Sequence, residues 1–210
     1  MLRKKEYKLL NNMNIQESIR RILKEETQNL NEFISELSEV FEMSDELNQF
    51  VKKFISESDC NKIEFSNFKI GALGIALHNF VLINKNVLKT NLEHTLFVIF
   101  HEIAHQYQFK KYGEDVMYNC YLGEISDNDA AKFMKSTEEV ADEYAIRKIK
   151  QLQKMDLISK NYNPPQMYKN VSLGMISNMV SGFRNEMKSK GIDSPQKISE
   201  YFYNMVKKEL

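Results

Sequence analysis

Two cysteines are all the chain carries in 210 residues, Cys60 and Cys120. They are too few and too far apart for a disulfide framework or a four-thiolate zinc site, so reduced thiols in a cytoplasmic protein are expected. Net charge is missing as well. Lys+Arg and Asp+Glu balance at 29 each, and no whole-protein field draws the chain to nucleic acid or to an anionic membrane. Long apolar runs are also lacking. The stretches around residues 80–83 and 96–100 fall far short of the ~20 residues that cross a bilayer, and the charged start Met1-Leu-Arg-Lys-Lys5 is not followed by a signal-peptide run. A soluble chain with no membrane partner is expected. With three prolines and seven glycines, helix breakers are scarce and the composition leans to helix. Neither a repeat nor a low-complexity linker divides the sequence, which points to a single domain over residues 1–210.

What is present is periodicity. Apolar residues recur at three and four from Ile15 through Ile19, Ile22 and Leu23, then Leu30, Phe33, Ile34 and Leu37, then Leu47, Phe50, Val51, Phe54 and Ile55. This predicts a helical N-terminal extension over residues 1–58, with Ser44-Asp45-Glu46 capping its last helix. Between Lys62 and Asn84 the pattern changes to short apolar runs bounded by Gly, Asn and His, and His78-Asn79 falls where a hairpin turn belongs. A small antiparallel sheet is expected there. Asn91 then offers an N-cap to a central helix running from Leu92 to about Lys111, which is apolar nearly all round and stops before Gly113. After a polar connection at residues 123–129, a further helix is expected from Ser136 to about Met155. Pro164-Pro165 separates it from two C-terminal helices near residues 166–190 and 195–210. The fold class is therefore α+β and mainly helical, with a core at 62–155 and C-terminal helices at 164–210.

Chemistry concentrates in His101-Glu102-Ile103-Ala104-His105. Two histidines four apart on a helix project from one face and meet at one point. Zinc takes imidazole nitrogen at ~2.0–2.1 Å and, in catalytic sites, keeps one position for water. Glu102 lies about 100° round the helix from His101, placed to reach that water and act as general base. Histidines and a carboxylate buried on so apolar a helix without such a purpose would carry desolvation costs with nothing to offset them.

A third donor has to come from elsewhere, and His78 and His94 are not in a short downstream spacing. Ser136-Thr-Glu138-Glu139-Val-Ala141-Asp142-Glu143-Tyr-Ala145 holds several carboxylates, which helical geometry sorts. Glu138 and Asp142 share a side with Ala141, Ala145, Ile149 and Leu152, whereas Glu139, Glu143, Arg147 and Lys150 fall opposite, with Glu143 and Arg147 spaced as an exposed ion pair. The inward pair needs a reason, and ligation by Glu138 supplies one. Asp142, one turn on, is placed to accept the free ring N–H of a ligand histidine. His94, seven before His101, is expected as a first-turn or core residue, and Met175, Ile176, Met179 and Phe183 as a core stripe. Tyr201, Phe202, Tyr203 and Met205 are expected to pack the last helix, and Lys4, Lys5 and Lys8 to be solvated.

Taken together, His-Glu-Ile-Ala-His and, 33 residues beyond His105, Glu138-x-x-Ala141-Asp142-x-x-Ala145 resemble the gluzincins. These are the thermolysin-like zinc peptidases, and the likeness is greatest to their minimal members, including ImmA/IrrE-like regulators. The resemblance covers roughly residues 62–155. It implies a zincin-like core, one catalytic Zn2+ held by His101, His105 and Glu138, Glu102 as base and acid, and Asp142 supporting a ligand. It also implies that residues 80–83 form an edge strand able to align an extended peptide, and that a Tyr or His stabilises the oxyanion, with Tyr118, Tyr121, Tyr168 and the C-terminal helices all open as sources. The expected activity is metalloendopeptidase cleavage of a peptide or protein. The alternative is a regulatory or partner-binding protein with slow, conditional or no hydrolysis, its N-terminal helices covering the cleft.

Overall fold

The helix that carries both histidines, α3 (Leu92–Tyr112), is buried from Thr95 to Gln106 without a break, and the rest of the fold is arranged round it. The Asn91 side chain accepts from the His94 N–H at 2.8 Å, and Gly113, at φ 85°, ends it. Both ends are therefore set by local chemistry. The computed structural model describes residues 24–67 and 71–207. Ile15, Ile19, Ile22, Leu23 and the lysines at 4, 5 and 8 lie outside the described residues, as does the side chain of Met205.

Helix α1 (residues 24–40) and α2 (Asp45–Ser56) bury Phe33, Ile34 and Leu37, and Leu47, Val51, Phe54 and Ile55. Ser44 caps α2 through Leu47 N–H at 3.2 Å. These residues share one core with Phe97, Phe100 and Ile103 of α3 and with Ala145, Ile149 and Leu152. The N-terminal helices are thus part of the body that supports the histidine helix. Fully burying each large side chain there contributes about 1.5–3 kcal/mol.

Among the described residues the sheet has three strands, β1 (Lys62–Ser66), β2 (Gly74–Leu77) and β3 (Phe80–Asn84), in the order β1-β3-β2. The two-residue turn His78-Asn79, with Asn79 at φ 60°, joins β2 to β3 as an antiparallel hairpin. β1, however, pairs parallel to β3, from Lys62↔Phe80 to Ser66↔Asn84. The sheet is mixed and not antiparallel, because the chain leaving β1 crosses over before it makes the hairpin. Residues 80–83 are consequently not an edge. β3 is the central strand, with Val81, Leu82 and Ile83 fully buried, and the edge on the α3 side is β2.

Beyond α3 lies an unanticipated helix, α4 (Glu114–Leu122), bracketed by Gly113 and by Gly123 in the left-handed conformation. Helix α5 (Asp127–Lys154) starts at Asp127 and not at Ser136: Ser126 caps it through the Asp129 N–H, and Ala130, Ala131 and Met134 already face inward. Helices α6 (Leu173–Ser189) and α7 (Pro195–Lys207) follow, α6 beginning later than the prolines suggested because Ser172 caps it through Met175 N–H. The stripe on α6 is only partly core. Ile176 is buried, but Met175 is 66% and Met179 42% exposed. Among the described residues no helix is long and apolar enough to cross a membrane.

Candidate metal centre

Helix α5 packs along α3, with Ala141 and Ala145 fully buried and Ala145 in the core shared with α3, and this places Glu138 against the histidines. His101 Nε2 lies 3.1 Å from Glu138 Oε2 and 3.2 Å from His105 Nε2, and His105 Nε2 lies 3.6 Å from the same carboxylate oxygen. Donors held at ~2.0–2.1 Å on three corners of a tetrahedron sit roughly 3.3 Å apart, so these three are spaced to share one ion. Among the described residues they are the one group of this kind, and they can hold a metal ion.

The outer nitrogens decide what the inner ones do. His101 Nδ1 is 3.0 Å from Asp142 Oδ1. His105 Nδ1 is 2.8 Å from Gln108 Oε1, and the Gln108 amide is oriented by its own donation to Thr137 O at 2.8 Å. Both Nδ1 atoms therefore donate, leaving two Nε2 lone pairs and a carboxylate converging on one point. Three acceptors in that geometry require a cation between them, either protons or a metal. Burial opposes charge on His101, yet its bonds to Asp142 and Glu138 prevail and push its pKa up to about 10. For His105 burial is again outweighed, by the Glu138 charge, and its pKa is raised. Burial favours neutral Glu138 but the two histidines hold its pKa well below the usual carboxylate range. Glu102 differs: burial dominates, and its pKa is raised.

Glu102, His101, His105 and Glu138 line a cavity of 750 Å³. Its near wall is β2, and its far wall comes from α4, α6 and α7, with Met179, Phe183 and Phe202. Tyr168 reaches it from the segment after α5. The Tyr168 ring stacks on His101 with centroids 6.2 Å apart, and its backbone N–H donates to Asp142 Oδ2 at 3.1 Å. Tyr118 also lines the cavity, but its hydroxyl is shared between Ser199 Oγ at 2.9 Å and the His78 N–H at 3.2 Å. Tyr121, partly buried, lines the cavity as well, and burial raises its pKa.

The outward carboxylates stay outside the site. Glu139 pairs with Lys135 at 3.7 Å and Glu143 is exposed. The expected Glu143–Arg147 pair does not form; Arg147 lies over the Tyr144 ring, 5.6 Å from its centroid, trading a solvated ion pair for contact with an aromatic face. His94 is a first-turn residue, its Nδ1 3.2 Å from the Tyr162 hydroxyl, and takes no part. Three contributors escaped the sequence reading. Gln108 stands three residues from His105 and Gln106 four from Glu102, so helical spacing was a usable signal for both; for Gly74 there was none.

No family model, curated protein or solved structure matches this chain.

Proposed function

We propose that the protein is a zinc-dependent peptide hydrolase, a metalloendopeptidase of gluzincin type, acting on a peptide or protein substrate in the cytoplasm. The observation that carries this reading is Glu102: a buried carboxylate beside the three donors and lining the same cavity, which a purely structural ion would leave without a task. Zinc, when bound, polarises the scissile carbonyl and lowers the pKa of a water. Glu102, lining the cavity beside the three donors, would be the residue that accepts a proton and delivers it to the leaving amine. Asp142 and Gln108 hold the imidazoles in the tautomer that presents Nε2. Tyr168 is the tyrosine we assign to the oxyanion, because its ring stacks on His101 and it lines the same cavity as the three donors.

Elemental analysis and a peptide-library cleavage assay test this together. Wild type is expected to carry one zinc per chain and to cleave, and Glu102→Gln to keep the zinc and lose turnover. A wild type that binds no zinc overturns the reading. A zinc-loaded chain without Glu102-dependent cleavage replaces it with the regulatory, partner-binding alternative.

A further inference from the structure

The base meets the sheet at Gly74. Glu102 and Gln106 are one turn apart on the flank of α3 that faces β2. Gln106 Nε2 donates to Leu77 O at 2.8 Å and to Phe80 O at 3.4 Å, clamping the hairpin end of the strand to the helix. The other end is fixed too: Asn84 donates from Nδ2 to Ala72 O at 3.1 Å and from its backbone N–H to Leu73 O at 2.9 Å. Between these points β2 pairs along its length with the buried β3. The strand cannot retreat from α3.

A Cβ on Gly74 would lie 2.4 Å from Glu102 Cγ and 2.6 Å from both Cδ and Oε1, where ordinary contact begins at 3.4 Å. Backbone conformation is not the reason for glycine here. Gly74 sits in regular strand pairing, and the positive-φ glycines are Gly113, Gly123 and Gly191. An alanine would be favoured in a strand by about 0.5–1 kcal/mol of backbone entropy. We infer that Gly74 is a positioning residue whose missing side chain is the space in which the Glu102 carboxylate lies beside the two histidines. The inference rests on the reading that Glu102 handles the proton in hydrolysis. With the strand pinned, an alanine at 74 moves the carboxylate by about 1 Å, and misplacement of that size costs roughly 100-fold in rate. The three metal donors sit on the other flank and are untouched.

The test is Gly74→Ala in the full chain. Expected are unchanged zinc by elemental analysis, KM within about twofold of wild type, and kcat lower by roughly 100-fold. In a Glu102→Gln background the same substitution changes the residual rate by less than about twofold, since the group it displaces no longer works. Wild-type kcat in Gly74→Ala, or equal losses in both backgrounds, overturns the inference. If Gly74→Ala fails to fold, adding Glu102→Ala removes the clash and restores folding; failure to restore it overturns the inference. Should wild type show no Glu102-dependent turnover, the hydrolase reading falls by itself. A crystal structure of zinc-loaded Gly74→Ala then decides: a displaced Glu102 carboxylate upholds the inference and an unmoved one sinks it.

Discussion

The two flanks of α3 solve opposite problems with opposite means. Toward α5, His101 and His105 are held by a set of polar partners, Glu138, Asp142 and Gln108, of which Asp142 is anchored by the Tyr168 N–H and Gln108 by Thr137 O. Toward β2, Glu102 is held by shape: a strand clamped at both ends and a glycine where any side chain would collide. The donor group that can hold a cation is defined by what the sequence contains there, and the seat of the proposed base by what it omits. A cation site must bind strongly, so it needs partners that fix tautomer and charge. A base must stay free to exchange a proton, and a bonded partner would compete for it.

Removing a donor should break the α5 flank most severely. Glu138→Ala is expected to lower metal affinity by more than about 100-fold, beyond the 10–100-fold typical of outer partners, in competition with a chelator. Asp142→Ala and Gln108→Ala should fall inside that 10–100-fold range; an affinity equal to wild type would show that the Nδ1 bonds do not set the tautomer. Tyr168→Phe should keep the metal and lower kcat by roughly 100-fold, as loss of one oxyanion donor does, and a change in KM alone would reassign Tyr168 to substrate binding.

Smaller effects sharpen the contrast. Because the bonds to Asp142 and Glu138 push His101 up to about 10, a metal arriving at pH 7 displaces a proton. Affinity should therefore rise as pH rises toward 10, by about tenfold per unit for each proton displaced. A chelator series from pH 6 to 8 with no slope would contradict it. On the β2 flank, Gln106→Ala strips a buried donor from two carbonyls and should cost about 1–3 kcal/mol of stability in denaturant melts, with metal affinity unchanged. The smallest effect belongs to the thiols. Burial pushes Cys60 up to about 12 and Cys120 up to about 11, so neither should react with iodoacetamide at pH 7 in the folded protein.

Legibility in the sequence followed the range of the interactions. The bounds of α3 were readable because Asn91 and Gly113 act within one turn, and the hairpin because His78-Asn79 is its own turn. Helix α4 and the first nine residues of α5 were not. The run Glu114–Leu122 is only nine residues long and directly follows the glycine that ends α3, and Ala130, Ala131 and Met134 become a buried stripe only when α6 covers them. Likewise the exposure of Met175 reflects what packs on α6 and not the period of its side chains.

By itself the sequence determined that His101 and His105 share a helical face one residue from Glu102, and that Glu138 and Asp142 share another, since spacing along a helix is a covalent property of the chain. Only the tertiary structure decided that these faces meet within 3.6 Å. It also decided that Gln108 orients His105, that β2 and not β3 is the edge against the site, and that Gly74 leaves room for Glu102. Strand order and helix packing join residues far apart in the chain, and no local periodicity encodes which distant partner each face will find.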